Sequence, residues 1–186
     1  MKTKITLLIM LFAFGFGTFS SFAGDKVEKG IRAGWHYSDL YKDGNSLFGD
    51  PYNSFYVGIY GYNKLLSSKL LTIGSGLTYY QVGSKMDDNN KVKLHYLNLP
   101  VSVKAKIGPV YAFTGLNGAV KLGGETHILG VKSDVKDFST FDAGFFVGLG
   151  VNVLMLGIEL KYDWGLVDVN NGYKTQYLQA GFTVSF

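Results

Sequence analysis

The sequence predicts an all-β protein, an eight-stranded antiparallel up-and-down transmembrane β-barrel. Three observations support this fold class: apolar and polar residues alternate along most of the chain, long and short connections alternate, and no apolar run after the N-terminal region is long enough for a membrane helix. A period of two places successive side chains on opposite faces of a strand. Strands that cross a membrane must close into a barrel, because unpaired backbone groups cannot face lipid.

The segment 175–186 shows the alternation most clearly. Leu178, Phe182 and Phe186 belong to an apolar row, and the other row is small or polar. A tilted membrane strand needs about 9–11 residues, so this segment is long enough to cross. Phe186 resembles the terminal aromatic residue by which outer-membrane barrels are handed to the insertion machinery, and we expect it to act as an assembly signal. The alternative is an edge strand of a soluble sandwich with one solvated face.

The composition agrees with a strand-rich exported protein. Tyr and Phe number thirteen and fourteen, whereas proline occurs three times and cysteine is absent. Aromatic residues favour strands over helices, and a cysteine-free chain has no disulfides or thiolate metal sites. No block of five lysines or arginines occurs, so the charge pattern indicates no nucleic-acid partner.

The N-terminus has the pattern of a secretory signal peptide. Lys2 and Lys4 precede an apolar run, and small residues stand at Ser21 and Ala23. We expect cleavage after Ala23, which leaves one barrel domain, 24–186. Loss of the two lysines lowers the formal net charge from +4 to +2. The predicted location is the outer membrane of a Gram-negative bacterium.

Eight segments are predicted as strands: 29–40, 55–65, 71–80, 91–106, 110–122, 141–153, 158–166 and 175–186. Polar connections follow the odd-numbered segments, at 40–53, 84–90, 123–139 and 168–174. This asymmetry predicts short turns in the periplasm and four loops outside. Aromatic residues are then expected in two girdles, with Trp35, Tyr37, Tyr79, Phe141 and Trp164 at the outer rim and Phe186 at the inner rim.

The residue pattern of two predicted strands does not follow a single alternation. The faces of 110–122 are not assigned by its pattern. Val92 and Leu94 lie in the row that later becomes polar, which predicts a bulge near His95 or a projection beyond the membrane.

The predicted lumen contains charges. Glu159, Lys161 and Asp163 share one inward row, and Arg32 and Lys104 face them from other strands. Unpaired charges in a narrow interior are costly, so we hypothesise a network in which Arg32 and one or more lysines neutralise Glu159 and Asp163. An eight-stranded barrel is just wide enough for its own side chains, and such a network would plug it.

No catalytic, metal or cofactor site is predicted. His36, His95 and His127 fall at the outer end, where loop histidines are usually solvated, and none has a metal-ligand spacing. No serine–histidine pairing indicates a nucleophile and its base. We therefore do not expect an enzyme.

The mature chain resembles the PorT-like outer-membrane β-barrel family. The resemblance rests on the segments GIRAGWHYSDL at 30–40, YLNLPVSVKAKIG at 96–108 and LGIELKYDWGL at 156–166, and on Phe186. Asn98 departs from the acidic residue that the family often has. The resemblance implies location and architecture but no chemistry.

The favoured function is a non-enzymatic outer-membrane barrel, of a porin-like family, with a plugged lumen and loops that bind a partner or stabilise the envelope. Its expected partners are outer-membrane lipid, the barrel-insertion machinery and an unidentified extracellular or periplasmic protein. One alternative is a lipid-modifying enzyme of the eight-stranded barrel type. The other is a lipocalin-like carrier, which would need an apolar interior and a polar exterior.

Overall fold

Eight long antiparallel strands pair in chain order, and the last also pairs with the first. They are β1 (Lys26–Lys42), β3 (Asp50–Lys64), β4 (Leu71–Lys85), β5 (Lys91–Ile107), β6 (Val110–Ile128), β8 (Phe141–Val153), β9 (Leu156–Gly165) and β10 (Lys174–Ser185). Two short strands, β2 (Asn45–Ser46) and β7 (Val131–Asp134), pair with β1 and β6 respectively. The predicted closed up-and-down barrel is confirmed.

The computed structural model describes residues 26–43, 45–46, 50–65, 68, 70–85, 91–128, 131–134, 139–169 and 172–186. The predicted signal peptide and its junction at Gly24 lie outside these residues. Within them there is no helix of the length and apolar character needed to cross a membrane.

The seam between β1 and β10 closes the barrel. Twelve Cα pairs join the two strands, from Gly30 opposite Ser185 to Tyr41 opposite Lys174. At one end of the seam the Phe186 amide donates to the Lys29 carbonyl at 2.8 Å. The hydrogen-bond ladder therefore has no open edge between the first and last long strands, as lipid requires.

The register fixes the width of the barrel. When directly paired residues are followed once around the barrel, the path that starts at Asp142 of β8 returns to β8 at Asn152. The stagger is therefore ten residues. The path runs through Ala119, Asn98, Thr78, Gly58, Arg32, Thr183 and Gly157. Strand number and stagger together set tilt and diameter, and eight strands enclose an interior that side chains can fill.

The two rows of each strand have opposite environments. On β8 and β9, Val147, Leu149 and Ile158 point outward and are 39%, 61% and 61% exposed, while Phe146 and Glu159 point inward and are 2% and 5% exposed. The exposed row is apolar and the buried row carries charges, which is the polarity of a lipid-facing barrel.

The predicted loops and turns lie at opposite ends, but their lengths overlap: the connection 65–70 has six residues and the connection 86–90 has five. We call the end at 43–49, 86–90, 129–140 and 166–173 the loop end, and the end at 65–70, 108–109 and 154–155 the turn end. Outward aromatic side chains gather toward the loop end, where Phe55 contacts Tyr79 at a centroid distance of 6.0 Å and Phe145 stacks on Trp164 at 5.9 Å.

Two predicted loops are partly strand. The segment 40–53 was expected to be irregular, but β1 continues to Lys42, turns at Asp43 with a φ of 48°, and pairs with β2. The segment 123–139 was likewise expected to be a loop, but β6 runs to Ile128 and pairs with β7. Both segments are hairpin extensions beyond the apolar band. Their polar residues do not alternate with apolar ones, so no sequence pattern indicated a strand there.

The predicted bulge lies on the other strand of its pair. Register shifts between His95 and Tyr96 because Leu122 of β6 is the extra residue. β5 itself stays in phase, so Val92 and Leu94 point inward and are 2% and 0% exposed. Their apolar character reflects an apolar interior at the loop end and not a change of face.

The unassigned faces of β6 are settled by its neighbours. Tyr111 and Phe113 point inward, are 2% and 4% exposed, and lie over Gly150 and Gly148 of β8. A Cβ at Gly150 would meet the Tyr111 ring within 2.7 Å. These glycines leave room for large rings in the narrow interior.

We predict that Gly150→Ala destabilises the barrel, because the added methyl group displaces the packed Tyr111 ring. Overpacking of this kind typically costs about 1–3 kcal/mol. Gly123→Ala is the matched control, since a Cβ there has no atom within 4 Å among the described residues. Urea unfolding in detergent micelles, followed by tryptophan fluorescence, measures both variants, and equal losses would contradict the packing explanation.

Candidate functional site in the barrel lumen

Aliphatic side chains are buried together at the loop end of the lumen. We define the apolar plug as five residues that are at most 2% exposed: Leu40, Val82, Val92, Leu94 and Val169. They belong to one buried cluster with Tyr56, Tyr80, Tyr96, Ala119 and Tyr177. Four of the five come from β1, β4 and β5, and Val169 comes from the connection before β10. Residues at the loop ends of different strands therefore meet on the barrel axis.

A histidine lies directly below the apolar plug. The His36 ring is fully buried, stacks on Tyr80 at 4.9 Å and contacts Tyr177 at 4.5 Å. Gln179 Nε2 donates to its Nδ1 at 2.8 Å. The expectation of a solvated loop histidine is therefore wrong for His36. Alternation placed it inward, but its depth depends on the two tyrosines that β4 and β10 bring against it.

The other histidines stay apart from His36. His95 points outward on β5, and its Nδ1 is 2.6 Å from the Tyr79 hydroxyl. His127 lies in the loop-end extension of β6. Among the residues that the structure describes, no three His, Asp or Glu side chains are grouped closely enough to hold a metal ion.

Arg32 and Glu159 come together across β10. Arg32 Nη1 lies 3.5 Å from Glu159 Oε2, and the two side chains are 10% and 6% exposed. Glu159 is opposite Gly181 and Arg32 is opposite Thr183, so the contact runs diagonally over the intervening strand. A side chain at Gly181 would meet the Tyr56 hydroxyl, so this glycine leaves room for the Tyr56 ring beside the ion pair. The Tyr111 hydroxyl also donates to Glu159 Oε1 at 2.9 Å.

Lys104 pairs with an acidic residue that the sequence pattern did not indicate. Its Nζ donates to Glu28 Oε2 at 2.8 Å, and it does not contact Glu159 or Asp163 directly. The ammonium lies 3.8 Å, 5.0 Å and 6.0 Å from the ring centroids of Tyr62, Tyr111 and Tyr60. Glu28 is available because β1 begins at Lys26, before the predicted start at Lys29.

Asp163 is contacted by Lys161 of its own strand β9 and by Asn117 of β6. Lys161 Nζ is 3.8 Å from Asp163 Oδ2, and Asn117 donates to the same oxygen. Asp142, a further inward carboxylate that was not singled out, accepts from Thr175 Oγ1 at 2.8 Å. Lys161 also lies 4.9 Å from the Phe146 ring centroid. The predicted charges therefore pair as Arg32 with Glu159, Lys104 with Glu28 and Lys161 with Asp163. Tyr111 contacts both Glu159 and Lys104 and so connects the first two pairs.

Eight charged side chains of the described residues are buried or nearly buried in the lumen. Four carboxylates, Glu28, Asp142, Glu159 and Asp163, accompany four cations, Arg32, Lys104, Lys121 and Lys161, and all eight are buried or nearly buried. An internal cavity of about 10 Å³ lies between Arg32, Lys161, Thr78 and Gln179, room for about one water molecule. The cavity beside Arg32 is therefore lined by packed side chains and has little room for water.

The comparisons with known proteins agree with this geometry. A family model described as "Outer membrane protein beta-barrel domain" matches residues 19–171. The chain belongs to this outer-membrane barrel family. It is a small eight-stranded barrel of the outer membrane. No curated protein sequence matches it.

Two solved structures share the barrel fold. The chain is similar to Ail, the attachment invasion locus protein of Yersinia pestis, with 14% identity and a TM-score of 0.55, over 86% of this chain and 98% of Ail. It is also similar to Neisserial surface protein A, with 13% identity and a TM-score of 0.62, over 85% of this chain and 97% of that one. At such identities the likeness shows the fold alone, and the narrower PorT-like resemblance stays a prediction.

We predict that Arg32 and Glu159 are energetically coupled in this outer-membrane barrel. Removing one partner of a buried ion pair typically costs about 3–5 kcal/mol, and the double variant should lose less than the sum of the single losses. Free energies of unfolding of Arg32→Gln, Glu159→Gln and the double variant give the coupling. Lys29→Gln combined with Glu159→Gln is the control, because Lys29 is exposed. Strictly additive losses for Arg32 and Glu159 would show two independent side chains.

Proposed function

We propose that the protein is a non-enzymatic outer-membrane barrel that passes no solute, with its loop end outside the cell. Its loops would bind an extracellular partner or stabilise the envelope. The observation that carries this proposal is the set of buried inward side chains, in which the apolar plug lies above three ion pairs, Arg32–Glu159, Lys104–Glu28 and Lys161–Asp163. The predicted signal peptide, cleaved after Ala23, would deliver the chain for insertion.

The enzyme alternative has less support. A lipid-modifying barrel needs a nucleophile and a base within hydrogen-bond reach at a rim. The His36 and His95 ring nitrogens contact Gln179 and Tyr79, and Ser46 donates to Asp39 at 2.7 Å. Ser54 donates to the backbone carbonyl of His36 at 3.2 Å, and none of these contacts joins a serine hydroxyl to a histidine ring nitrogen. These contacts support a structural role for the groups.

The carrier alternative requires the opposite polarity. A lipocalin-like barrel holds an apolar ligand inside and presents polar residues to water. Here the exposed row is apolar, as at Leu149 and Ile158, and the interior carries eight charged side chains. The internal cavity beside Arg32 is about 10 Å³, far below the 300–1,000 Å³ or so of a typical ligand pocket.

We expect the purified barrel to show no steady single-channel conductance in planar bilayers. Replacing Tyr80 and Tyr177 with alanine removes two rings beneath the apolar plug and should raise the frequency of conducting events. Tyr79→Ala with Leu178→Ala is the matched control, because these neighbouring residues belong to the outward rows. Steady conductance of the unaltered protein would overturn the proposal of a closed lumen.

We also infer that Phe186 contributes to recognition by the insertion machinery. Its ring is 64% exposed at the turn end and lies 5.5 Å from Lys29 Nζ. Phe186→Asp should lower the amount of assembled barrel in membranes, while the unfolding free energy of inserted protein changes by about 0–1 kcal/mol, as expected near the interface. Phe186→Tyr should retain assembly. Heat-modifiable mobility on gels measures the assembled fraction, and an unchanged fraction for Phe186→Asp would refute this role.

A further inference from the structure

Two small residues line one wall of the lumen beside the apolar plug. Asn98 of β5 is directly opposite Ala119 of β6, and Ala119 is directly opposite Asp142 of β8. Two residues closer to the turn end, Asn117 of β6 is opposite Gly144 of β8. Neighbouring strands lie about 4.7–4.9 Å apart, so the side chains of Asn98 and Asp142 flank the methyl group of Ala119. Ala119 and Gly144 therefore leave space between larger polar neighbours.

A carboxylate from β9 reaches over Gly144 to the same wall. A Cβ at Gly144 would meet Asp163 Oδ1 and would lie 3.1 Å from Asn117 Oδ1. Asp163 uses its other oxygen, Oδ2, for its contacts with Lys161 and with Asn117 Nδ2. Asp142 is two residues from Gly144 on the same inward row of β8. Two carboxylates therefore approach this wall, each with one oxygen.

Several polar atoms at this wall are buried without a hydrogen-bond partner among the described residues. They are both terminal atoms of Asn98, the Tyr96 hydroxyl, Asp142 Oδ1 and Asp163 Oδ1. These four side chains are at most 3% exposed, and Tyr96 is two residues from Asn98 on the same inward row of β5. Buried polar atoms in folded proteins are almost always hydrogen-bonded. The atoms therefore indicate a bound species, and we call these four residues and Asn117 the oxygen cluster.

The two carboxylates of the oxygen cluster lack a positive charge at their inner oxygens. Asp142 Oδ2 accepts from the neutral Thr175 hydroxyl at 2.8 Å, and no ion pair of Asp142 is found within the described ranges. Two buried cations lie to either side, since Lys161 Nζ is 3.8 Å from Asp163 Oδ2 and Lys121 is buried on β6. The Oδ1 atoms of both carboxylates nevertheless have no partner in this part of the chain. Like charges in a buried site repel each other, and a buried carboxylate is costly unless it is paired.

The ligand set of the oxygen cluster suits a hard cation. Carboxylate and amide oxygens are ligands that Ca²⁺ and Mg²⁺ prefer, whereas soft metals prefer sulfur or imidazole. The oxygens come from four strands, β5, β6, β8 and β9, and share no loop that could arrange them regularly. Ca²⁺ accepts such flexible geometry, but Mg²⁺ demands a near-ideal octahedron. The arrangement therefore favours Ca²⁺.

We propose that the oxygen cluster binds one Ca²⁺ ion inside the barrel. Asp142 and Asp163 supply the charge, Asn98 and Asn117 supply amide oxygens, and the Tyr96 hydroxyl lies beside them. The ion would join four strands from within the lumen. This inference goes beyond the proposed function, because it adds a resident cation and holds whichever end of the barrel faces outward. Water molecules alone, or a proton shared by the two carboxylates, are the other occupants that the experiments distinguish.

Terbium luminescence tests the ion site directly. Tb³⁺ takes the place of Ca²⁺ at oxygen sites and is excited by energy transfer from a nearby tyrosine ring, here Tyr96. The full chain is refolded into detergent micelles with Tb³⁺ after removal of metals with EDTA, so that the ion can enter before the barrel closes. We expect tyrosine-sensitised emission that saturates at equal concentrations of ion and protein. An excess of Ca²⁺ during refolding should suppress it, and the same excess of Mg²⁺ should not. Absence of sensitised emission, or emission that does not saturate, would overturn the proposed site.

Two variants separate the ion from the fold. Ca²⁺ should raise the thermal unfolding midpoint of the unaltered barrel above its value in EDTA, as expected for a ligand of the folded state. Asp142→Asn, which keeps the size of the side chain, should remove most of this shift. Asn98→Leu should also reduce the shift but should raise the midpoint in EDTA, because it removes two buried polar atoms that lack partners. Asp168→Asn is the matched control, since Asp168 is an exposed carboxylate at the loop end, and an equal loss in this control would show an effect of net charge and overturn the site.

The other occupants give different results in the same measurement. If acidification in EDTA reproduces the stabilisation and Ca²⁺ adds nothing to it, a shared proton neutralises the two carboxylates and the ion site is wrong. If neither Ca²⁺ nor acidification changes the midpoint, water molecules satisfy the oxygen cluster and the ion site is again wrong. Each of these outcomes leaves the conductance test of the closed lumen unaffected, so failure of the ion site is distinguishable from failure of the proposed function.

Discussion

The closed ladder between β1 and β10 is the constraint on which the rest of the structure depends. Lipid offers no hydrogen bonds, so each backbone group in the apolar layer must find a partner within the sheet. The seam from Gly30–Ser185 to Tyr41–Lys174 supplies those partners and leaves the barrel with one lipid-facing surface and one interior. Alternation then places each side chain either against lipid or in the interior. The outward row must be apolar, and the inward row is free to be polar as long as its groups find one another.

In the narrow interior, charged side chains and aromatic rings must be accommodated in the same small volume. Eight strands enclose an interior that side chains can fill, and a charge buried there is costly unless a partner meets it. Glu159 is met by Arg32 and Tyr111, and Lys104 is met by Glu28 and the faces of tyrosine rings. Glycines such as Gly150 make space for these rings. At the loop end the buried residues include the aliphatic side chains of the apolar plug.

The outward faces could be predicted from the sequence and the interior contacts largely could not. Lipid requires apolar residues in the outward row, so positions such as Val147 and Ile158 can be assigned from alternation alone. Interior partners depend on stagger and on strand ends, which no local pattern encodes. Arg32 could be matched to Glu159 because only β10 separates their strands, whereas Glu28 was missed because β1 starts earlier than its pattern. His36 was placed on the correct face but at the wrong depth. Leu122 forms the bulge on the strand whose faces the sequence left open.

Amide hydrogen exchange across the seam tests the central claim most directly. In lipid bilayers, the amides of β1 and β10 between Gly30 and Tyr41 and between Lys174 and Ser185 should be protected as strongly as those of the central pair β5 and β6. Protection is expected to fall only beyond the apolar band, in the hairpin extensions at the loop end. Fast exchange along β1 and β10, with β5 and β6 protected, would show an open sheet edge and would contradict the closed barrel on which the account depends.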